Sequence, residues 1–277
     1  MEATNSLLIL SLIGLISLLK LSLPILHWLY STFLRPAKDL NRVYGSWAVV
    51  TGATDGIGLA IAVELSRRKI HLVIVGRNPA KLKKASDIIV AQGHGTQVRT
   101  VVWDLAVGGD CSGAERLRQA IAGLEVGVLF NSAGATYPGA AYFHEVKERV
   151  WREVVRVNVE GMSHVTRVVL PGMVSRRRGA VVNVGSASSV AVPSFPFYAV
   201  YAATKAWCLW FHGNRRGEDV RHEGVAEGFK LLNKMKRRGT IPYMRSPSTW
   251  QQRWFPSNSH PPSFHHQKNL PRLLFAA

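Results

Sequence analysis

The sequence predicts an α/β fold in which helices cover both faces of a doubly wound parallel sheet. Two observations support this prediction. Short apolar runs alternate along the chain with stretches that have the length and periodicity of helices. The first apolar run also ends in a glycine-rich turn that opens a helix, which is the usual place for a phosphate in such folds.

Each strand is expected from a brief apolar run without a helical period, as in sheets that are buried on both faces. The predicted strands are 47–50, 71–75, 97–103, 126–130 and 180–184. The predicted helices are 56–68, 79–91, 115–122, 146–156, 161–175 and 199–211, and residues 41–45 are a short linker. This order divides the chain into an N-terminal membrane anchor (1–40), a cofactor-binding domain (41–210) and a basic, poorly ordered tail (211–277).

The N-terminal segment predicts a retained membrane anchor. Residues 7–34 carry Lys20 as their only fixed charge, and about 20 apolar residues are enough to cross a bilayer. Arg35 and Lys38 then suit the cytoplasmic side. A cleaved signal peptide is less favoured, because no positive charge precedes the apolar run. Since Pro24 interrupts the segment, one tilted span and a re-entrant pair both remain open.

Net charge bears on the possible partners, and cysteine content bears on the redox compartment. The net charge is +18, and no acidic residue follows Glu227. Basic chains often bind nucleic acids, but no nucleic-acid motif accompanies this charge, so we expect a solvated surface and no nucleic-acid partner. Cys111 and Cys208 are too few for a disulfide framework, which favours a reducing compartment. We expect no metal site.

The turn Thr51–Gly58 has the glycine pattern of a dinucleotide site. Gly52 permits the tight turn, Gly56 lets the backbone approach a pyrophosphate, and Gly58 lets the helix pack closely on the sheet. The phosphates would then lie at the helix N-terminus. The cofactor contacts expected in this turn are Gly52, Thr54, Asp55, Gly56, Ile57 and Gly58.

The residues that follow the second strand predict which dinucleotide binds. An acidic side chain there would bind the ribose 2′-hydroxyl of NAD, whereas an arginine pairs with a 2′-phosphate. Arg77, followed by Asn78, therefore favours NADPH/NADP, the alternative being an arginine that is merely on the surface. Asp104, after the third strand, has two interpretations of similar weight: a bond to the adenine amine, or a cap of the following turn.

Tyr201 and Lys205 are the candidate chemical pair. Being four residues apart, they share one face of a helix. An ammonium beside a phenol favours the phenolate and would lower a pKa that is ordinarily about 10. With a dinucleotide site upstream, the pair predicts a hydride-transfer enzyme in which Tyr201 is the general acid. Tyr198 is not the equivalent residue, because Ala202 stands four positions after it.

These elements, with Asn131-Ser132-Ala133-Gly134 after the fourth strand, resemble the short-chain dehydrogenase/reductase family over residues 45–206. The resemblance implies a Rossmann-like sheet and a role for Asn131 in cofactor binding. It also implies that Tyr201 and Lys205 contact the cofactor, Lys205 through the nicotinamide ribose, and that Asn158 holds a relay water.

Within this family, the chain resembles the membrane-bound very-long-chain 3-oxoacyl-CoA reductases. The apolar N-terminus, the run Gly45–Gly58 and residues 193–198 carry that resemblance. It implies NADPH, a long-chain 3-oxoacyl-CoA substrate, and other fatty acid elongation enzymes as partners. It further implies an endoplasmic reticulum membrane with the catalytic domain facing the cytosol. Relatives that act on 17-hydroxysteroids share the first two features and are the alternative.

The serine of the family's site has two candidates in this chain. Alignment on the end of the fifth strand selects Ser186, whereas counting back from Tyr201 selects Ser188. A short insertion within residues 193–198 would reconcile the two in favour of Ser186, which we prefer. Its role would be to orient and polarise a carbonyl.

The family pattern stops after Ala206. A long helix and two further strands should follow, so we expect the C-terminal strands to be missing or replaced. When the codons of Trp250–Trp254 are translated from the third base of the first codon, they can encode Ala-Thr-Lys-Met, which resembles a run in these reductases. We therefore hypothesise that the C-terminal part is out of frame. The alternative function is then an inactive isoform that keeps only the cofactor fold.

Overall fold

The structure is a computed structural model that describes residues 2–30, 34, 39–92, 94–108, 110–189 and 196–213. Its strands are β1 (Trp47–Thr51), β2 (His71–Gly76), β3 (Val98–Val102), β4 (Val126–Asn131) and β5 (Ala180–Asn183). Its helices are α1 (Glu2–Leu29), α2 (Leu40–Tyr44), α3 (Gly56–Arg67), α4 (Pro79–Val90), α5 (Cys111–Ile121), α6 (Glu148–Val155), α7 (Met162–Ser175) and α8 (Ala199–Gly213).

All strands run parallel, in the order β3-β2-β1-β4-β5, which confirms the predicted fold class. Alternate residues of each strand point to opposite faces. Val50 and Ile74 pack with α3 and α4, whereas Val49 and Val73 pack with α5 and α7. Each such side chain that is fully buried contributes roughly 1.5–3 kcal/mol of hydrophobic free energy. Burial on both faces explains why the strands are continuous apolar runs.

The strand order places a crevice at the carboxyl edge of the sheet. The chain leaves β1 for β2 on one side and later returns to β4 on the other, so the two halves diverge between β1 and β4. The turns after β1, β2 and β4 therefore meet at this edge, together with the residues that follow β5. All the candidate site residues lie in or near these turns.

The structure corrects three predicted elements. Residues 40–44 form α2 instead of a linker, because Asp39 caps the helix by accepting hydrogen bonds from the backbone of Asn41 and Arg42 at 3.1 and 3.2 Å. Helix α5 begins at Cys111, ahead of the predicted start, with the Asp110 carboxylate accepting from Gly113 N at 3.1 Å. A π-helical turn, Arg156–Gly161, joins α6 to α7.

Helix α1 is long and apolar enough to cross a membrane. Its span Ile9–His27 has 19 residues, none of them buried in the structure, so its apolar surface has no protein partner among the described residues. The helix continues through Pro24, so Pro24 does not divide residues 2–29 into two helices. This part of the chain fits a membrane anchor.

Strand β5 is the last strand in the part of the chain that the structure describes. The expectation of missing C-terminal strands and a poorly ordered tail concerns residues 214–277, outside the described residues. The out-of-frame hypothesis, residues 190–195, Arg35 and Lys38 also lie outside them.

Candidate active site

In the turn after β1, two positions require glycine because neighbouring atoms leave no space for a Cβ. A Cβ on Gly52, where φ is +65°, would lie 2.8 Å from Ala133 Cα, and a Cβ on Gly58 would lie 2.3 Å from the Gly52 carbonyl oxygen. Gly56 also has a positive φ of +54°, but open space surrounds it. The turn is thus packed against β4 and α3, and its middle is accessible to a ligand.

Thr51 joins the ends of β1 and β4. Its Oγ1 accepts hydrogen bonds from the backbone N–H groups of Ser132 and Ala133 at 3.1 and 3.0 Å and donates to Phe130 O at 3.4 Å. The glycine turn and the segment after β4 are therefore held together across the crevice. Thr51 is not among the predicted site residues, although a hydroxyl residue at the end of an apolar strand, directly before a glycine turn, indicates such a role.

Three polar residues predicted to contact a cofactor also cap local structure. Asp55 accepts from Gly56 N at 2.7 Å at the start of α3, and Asn78 accepts from Lys81 N at 3.0 Å at the start of α4. Asp104 accepts from Ala106 N at 3.0 Å, which matches the turn-capping interpretation of this residue. These bonds explain why polar residues stand at the carboxyl edge even without a ligand.

At the same edge, Arg77 could pair with a further anion and Asn131 could accept a further hydrogen bond. The Arg77 side chain is 70% exposed, and its guanidinium lies 3.7 Å from the Glu153 carboxylate, a pairing that at this exposure is worth about 0–1 kcal/mol. Asn131 donates to Thr166 at 3.0 Å and to Asn183 at 2.9 Å. Its buried Oδ1 accepts no hydrogen bond from the described residues, an orphaned acceptor that a ligand could satisfy.

The Ser186 hydroxyl lies close enough to the Tyr201 phenol to lower the pKa of that phenol. Ser188 donates from its own hydroxyl to Ser186 Oγ at 2.9 Å, so it contacts the other serine. Ser186 is therefore the serine placed against the phenol, and Ser188 lies behind it.

The pKa of Tyr201 shifts opposite to the direction expected from the sequence. Burial of the phenol raises its pKa above 10, although the Ser186 hydroxyl opposes this and the nearby Cys208 thiol adds to it. The Lys205 ammonium does not offset the burial, because it lies 6.0 Å from the ring centroid and donates to Val184 O at 2.9 Å. Burial also lowers the pKa of Lys205.

Asn158 is buried in the π-helical turn, so it is not an exposed polar residue. Its Oδ1 accepts from Ala135 N at 2.8 Å, and its Nδ2 donates to Ala135 O and to Thr204 Oγ1, both at 3.0 Å. Thr204 in turn donates to Tyr201 O at 2.8 Å. Asn158 thus fastens the helix that carries Tyr201 and Lys205 to the segment after β4.

Gly134 provides space for this arrangement. A Cβ there would lie 3.2 Å from Lys205 Nζ and 3.6 Å from Asn158 Oδ1. The glycine turn, the segment after β4 and helix α8 therefore meet at one edge of the sheet. Among the predicted site residues, Asn158 and Lys205 lie around Gly134, Ser186 lies near Tyr201, and Ser188 contacts Ser186.

Comparison with known proteins agrees with this architecture. A very-long-chain 3-oxoacyl-CoA reductase-like protein of Arabidopsis thaliana is 45% identical over 70% of this chain and 62% of its own length. A very-long-chain 3-oxoacyl-CoA reductase of Laccaria bicolor is 38% identical over 70% of this chain and 57% of its own length. The chain thus spans about three fifths of the length of these relatives.

A solved metagenomic short-chain oxidoreductase in complex with NADP has a TM-score of 0.58 and 26% identity, over 66% of this chain and 80% of its own. A family model described as short chain dehydrogenase matches residues 46–222, more than half of the sequence. The chain therefore belongs to the short-chain dehydrogenase family.

Proposed function

We propose that the chain is a membrane-anchored, NADPH-dependent ketoreductase that converts a long-chain 3-oxoacyl-CoA to the 3-hydroxyacyl-CoA. The observation that carries the proposal is that the segment after β4 contacts both the glycine turn, at Gly52, and the helix of Tyr201 and Lys205, at Gly134, with Ser186 near the phenol. The names of the relatives in Arabidopsis thaliana and Laccaria bicolor supply the substrate class.

The residues present fit an NADP cofactor. The open N-terminus of α3 suits the pyrophosphate, the exposed Arg77 suits a 2′-phosphate, and the orphaned Asn131 Oδ1 can accept a hydrogen bond from the ligand. The complex of the metagenomic oxidoreductase with NADP supports the same choice. When bound, the cofactor would supply the hydride.

Residues of the chain itself would transfer the proton. Tyr201 is protonated at neutral pH because a phenol pKa is ordinarily about 10 and burial raises it further, and the protonated phenol is the form that donates to a carbonyl oxygen during reduction. Ser186 would orient and polarise that carbonyl. Lys205 would turn from Val184 to the ribose hydroxyls, and the backbone of Asn158 would hold a relay water.

The cellular setting is part of the proposal. Helix α1 fits an anchor in the endoplasmic reticulum membrane, with the catalytic domain facing the cytosol. The names of the relatives place those proteins among reductases of very-long-chain acyl groups, so other fatty acid elongation enzymes are the proposed partners.

The test is a comparison of the full chain in lipid nanodiscs with Tyr201→Phe. We expect NADPH consumption with a long-chain 3-oxoacyl-CoA to fall by roughly 10²–10⁴-fold, because the proton donor is lost. The affinity for NADPH, measured by fluorescence, should not change.

Three other results would contradict the proposal. Equal background rates in both proteins, with NADPH still bound, would identify an inactive chain that keeps only the cofactor fold. The absence of NADPH binding would remove the cofactor assignment. Faster turnover of a 17-oxosteroid than of the acyl-CoA would favour the steroid alternative.

A further inference from the structure

The loops at the amino edge of the sheet, opposite the candidate active site, are strongly basic. Residues 67–69 connect α3 to β2 and read Arg-Arg-Lys, and residues 176–178 connect α7 to β5 and read Arg-Arg-Arg. Because all the strands are parallel, both connections lie at the same edge. The Arg176 guanidinium donates to the carbonyl of Val126, the first residue of β4, at 2.7 Å, which places this run beneath the sheet.

Two of these cations are exposed at the ends of helices. Lys69 and Arg177 both have positive φ, at 58° and 48°, and both are exposed. Arg68 and Arg178 are less exposed: Arg68 Nε donates to Glu64 Oε1 at 3.2 Å, and Arg178 Nε donates to Val43 O at 2.8 Å. By their exposure, Lys69 and Arg177 are the side chains of these two runs that an external surface would contact first.

The two edges differ in charge when connections, adjoining helix turns and strand ends of the described residues are counted alike. The amino edge carries nine cationic side chains against four carboxylates, namely Arg42, Arg67, Arg68, Lys69, Arg99, Arg118, Arg176, Arg177 and Arg178 against Asp39, Glu64, Asp87 and Glu125. The carboxyl edge is close to neutral, namely Arg77, Lys81, Lys147 and Arg149 against Asp55, Asp104, Asp110, Glu145 and Glu148. An anionic surface would therefore attract the amino edge more strongly than the edge that holds the candidate site.

The chain itself brings the amino edge to a membrane. Helix α2 directly precedes β1, and Arg178 holds it there through backbone carbonyls, including Asn41 O at 3.3 Å. Only residues 30–39 separate α1 from α2. Even fully extended, such a segment reaches about 40 Å, so the basic edge stays near the surface of any bilayer that α1 enters.

We infer that the amino edge of the sheet docks on the anionic phospholipid surface of the membrane that holds α1, with the candidate active site turned toward the solvent. The inference rests on the anchor that is part of the proposed function. Each lysine or arginine at an anionic surface contributes about 1 kcal/mol, or roughly fivefold in the ratio of docked to undocked protein.

The test uses the full chain in nanodiscs of phosphatidylcholine, with and without phosphatidylserine. Hydrogen exchange of residues 67–70 and 176–179 should be slower with phosphatidylserine, and high salt should remove the difference because it screens the charges. The exposed Cys111 lies at the carboxyl edge, and its rate of maleimide labelling should be the same in both lipids.

The variant Lys69→Asn/Arg177→Asn tests the exposed pair. Asparagine accepts the left-handed backbone conformation of both positions, so folding should be preserved. Loss of two charges should lower the ratio of docked to undocked protein by roughly 25-fold, and with it the protection. The control Lys83→Gln/Lys84→Gln removes the same charge from exposed positions on α4 and should keep the protection.

Several outcomes would overturn the inference. These are equal exchange in the two lipids, slower labelling of Cys111 with phosphatidylserine, or protection of the same loops by added RNA but not by phosphatidylserine. Flotation of the full chain with neutral vesicles tests the anchor separately. A chain that floats without lipid-dependent protection refutes the docking alone, whereas one that does not float refutes the anchor.

Discussion

At the scale of single residues, the candidate site depends on which polar atoms are buried and what they contact. The pKa of Tyr201 is raised because burial outweighs the opposing effect of the Ser186 hydroxyl, and the Lys205 ammonium lies 6.0 Å from the ring centroid. Ser186 lies close to the phenol, and Ser188 contacts only the other serine in the hydrogen bonds described above. The two serines are therefore expected to differ in their importance for the reaction.

The substitution Ser186→Ala should lower kcat for the acyl-CoA by roughly 10²-fold, in the range of a lost oxyanion donor. Ser188→Ala is the matched control and should reduce kcat by less than tenfold, because it removes only a hydrogen bond to Ser186. Steady-state kinetics of both variants measures the difference. A larger loss with Ser188→Ala would reverse the assignment.

The substitution Lys205→Met should stabilise the cofactor-free fold at neutral pH while abolishing activity. Burial lowers the pKa of Lys205 below 10.5, so the folded chain binds its proton less readily than the unfolded chain does. Wild-type stability therefore rises as the pH increases from the folded pKa toward 10.5. The gap between variant and wild type should shrink over this window.

Urea unfolding of both proteins at several pH values measures that gap. The raised pKa of Tyr201 acts in both proteins, so it cancels in the comparison. A gap that widens with pH would contradict the sign of the Lys205 shift.

At the scale of secondary-structure elements, close backbone contacts hold the site together. Helix α3 packs directly on the turn after β1 at Gly58, and α8 is tied to the π-helical turn through Asn158 and Thr204. The Asn158 side chain is buried in the π-helical turn. Its carboxamide accepts a hydrogen bond from Ala135 N and donates one to Ala135 O. Such contacts leave little space for added atoms.

The substitution Gly58→Ala should destabilise the fold by about 1–3 kcal/mol, because its Cβ would lie 2.3 Å from the Gly52 carbonyl oxygen and the helix would have to move. It should also weaken NADPH binding at the displaced helix N-terminus. Gly139→Ala is the control, since no atom lies within 4 Å of its Cβ, and its effect should be within about 1 kcal/mol. Thermal unfolding of both variants provides the measurement, and equal losses would refute the packing argument.

At the scale of the whole molecule, the sheet separates two surfaces. The carboxyl edge holds the candidate site, and the amino edge carries the basic loops and receives the chain from α1 and α2. Because the proposed ligand contacts lie at the ends of β1, β2 and β4, a bound dinucleotide would join distant parts of the sheet. Binding should therefore stabilise the whole fold.

NADPH should raise the free energy of unfolding by about 2.7 kcal/mol at 100 times its dissociation constant, and NADH should do so less at the same concentration. Arg77→Gln should remove most of the difference, because the 2′-phosphate loses its charged partner. Arg99→Gln, at the amino end of β3, is the control and should leave the difference unchanged. Thermal shift assays with both nucleotides measure this difference in stabilisation. An equal response of the wild type to NADH and NADPH would exclude Arg77 as the residue that selects NADPH over NADH.

The pattern of residues along the chain was sufficient to predict much of this protein. Buried parallel strands are apolar throughout, and a glycine turn before a helix has few other uses, so the sheet, its order of elements and the candidate residues could be recognised in advance. These signals are local, because each depends on neighbouring residues or on the period of one element.

Tertiary structure alone decided the features that depend on contacts between distant residues. The pKa of Tyr201 reflects its burial and the turning of Lys205 toward Val184, and the choice between Ser186 and Ser188 reflects which hydroxyl reaches the phenol. Thr51 and the π-helical turn at Asn158 likewise act across the crevice, on partners about 80 and 23 residues away in sequence. The Tyr–Lys spacing thus predicted a candidate chemical pair from the sequence, whereas the direction of the shift in the Tyr201 pKa depended on burial, which only the folded chain creates.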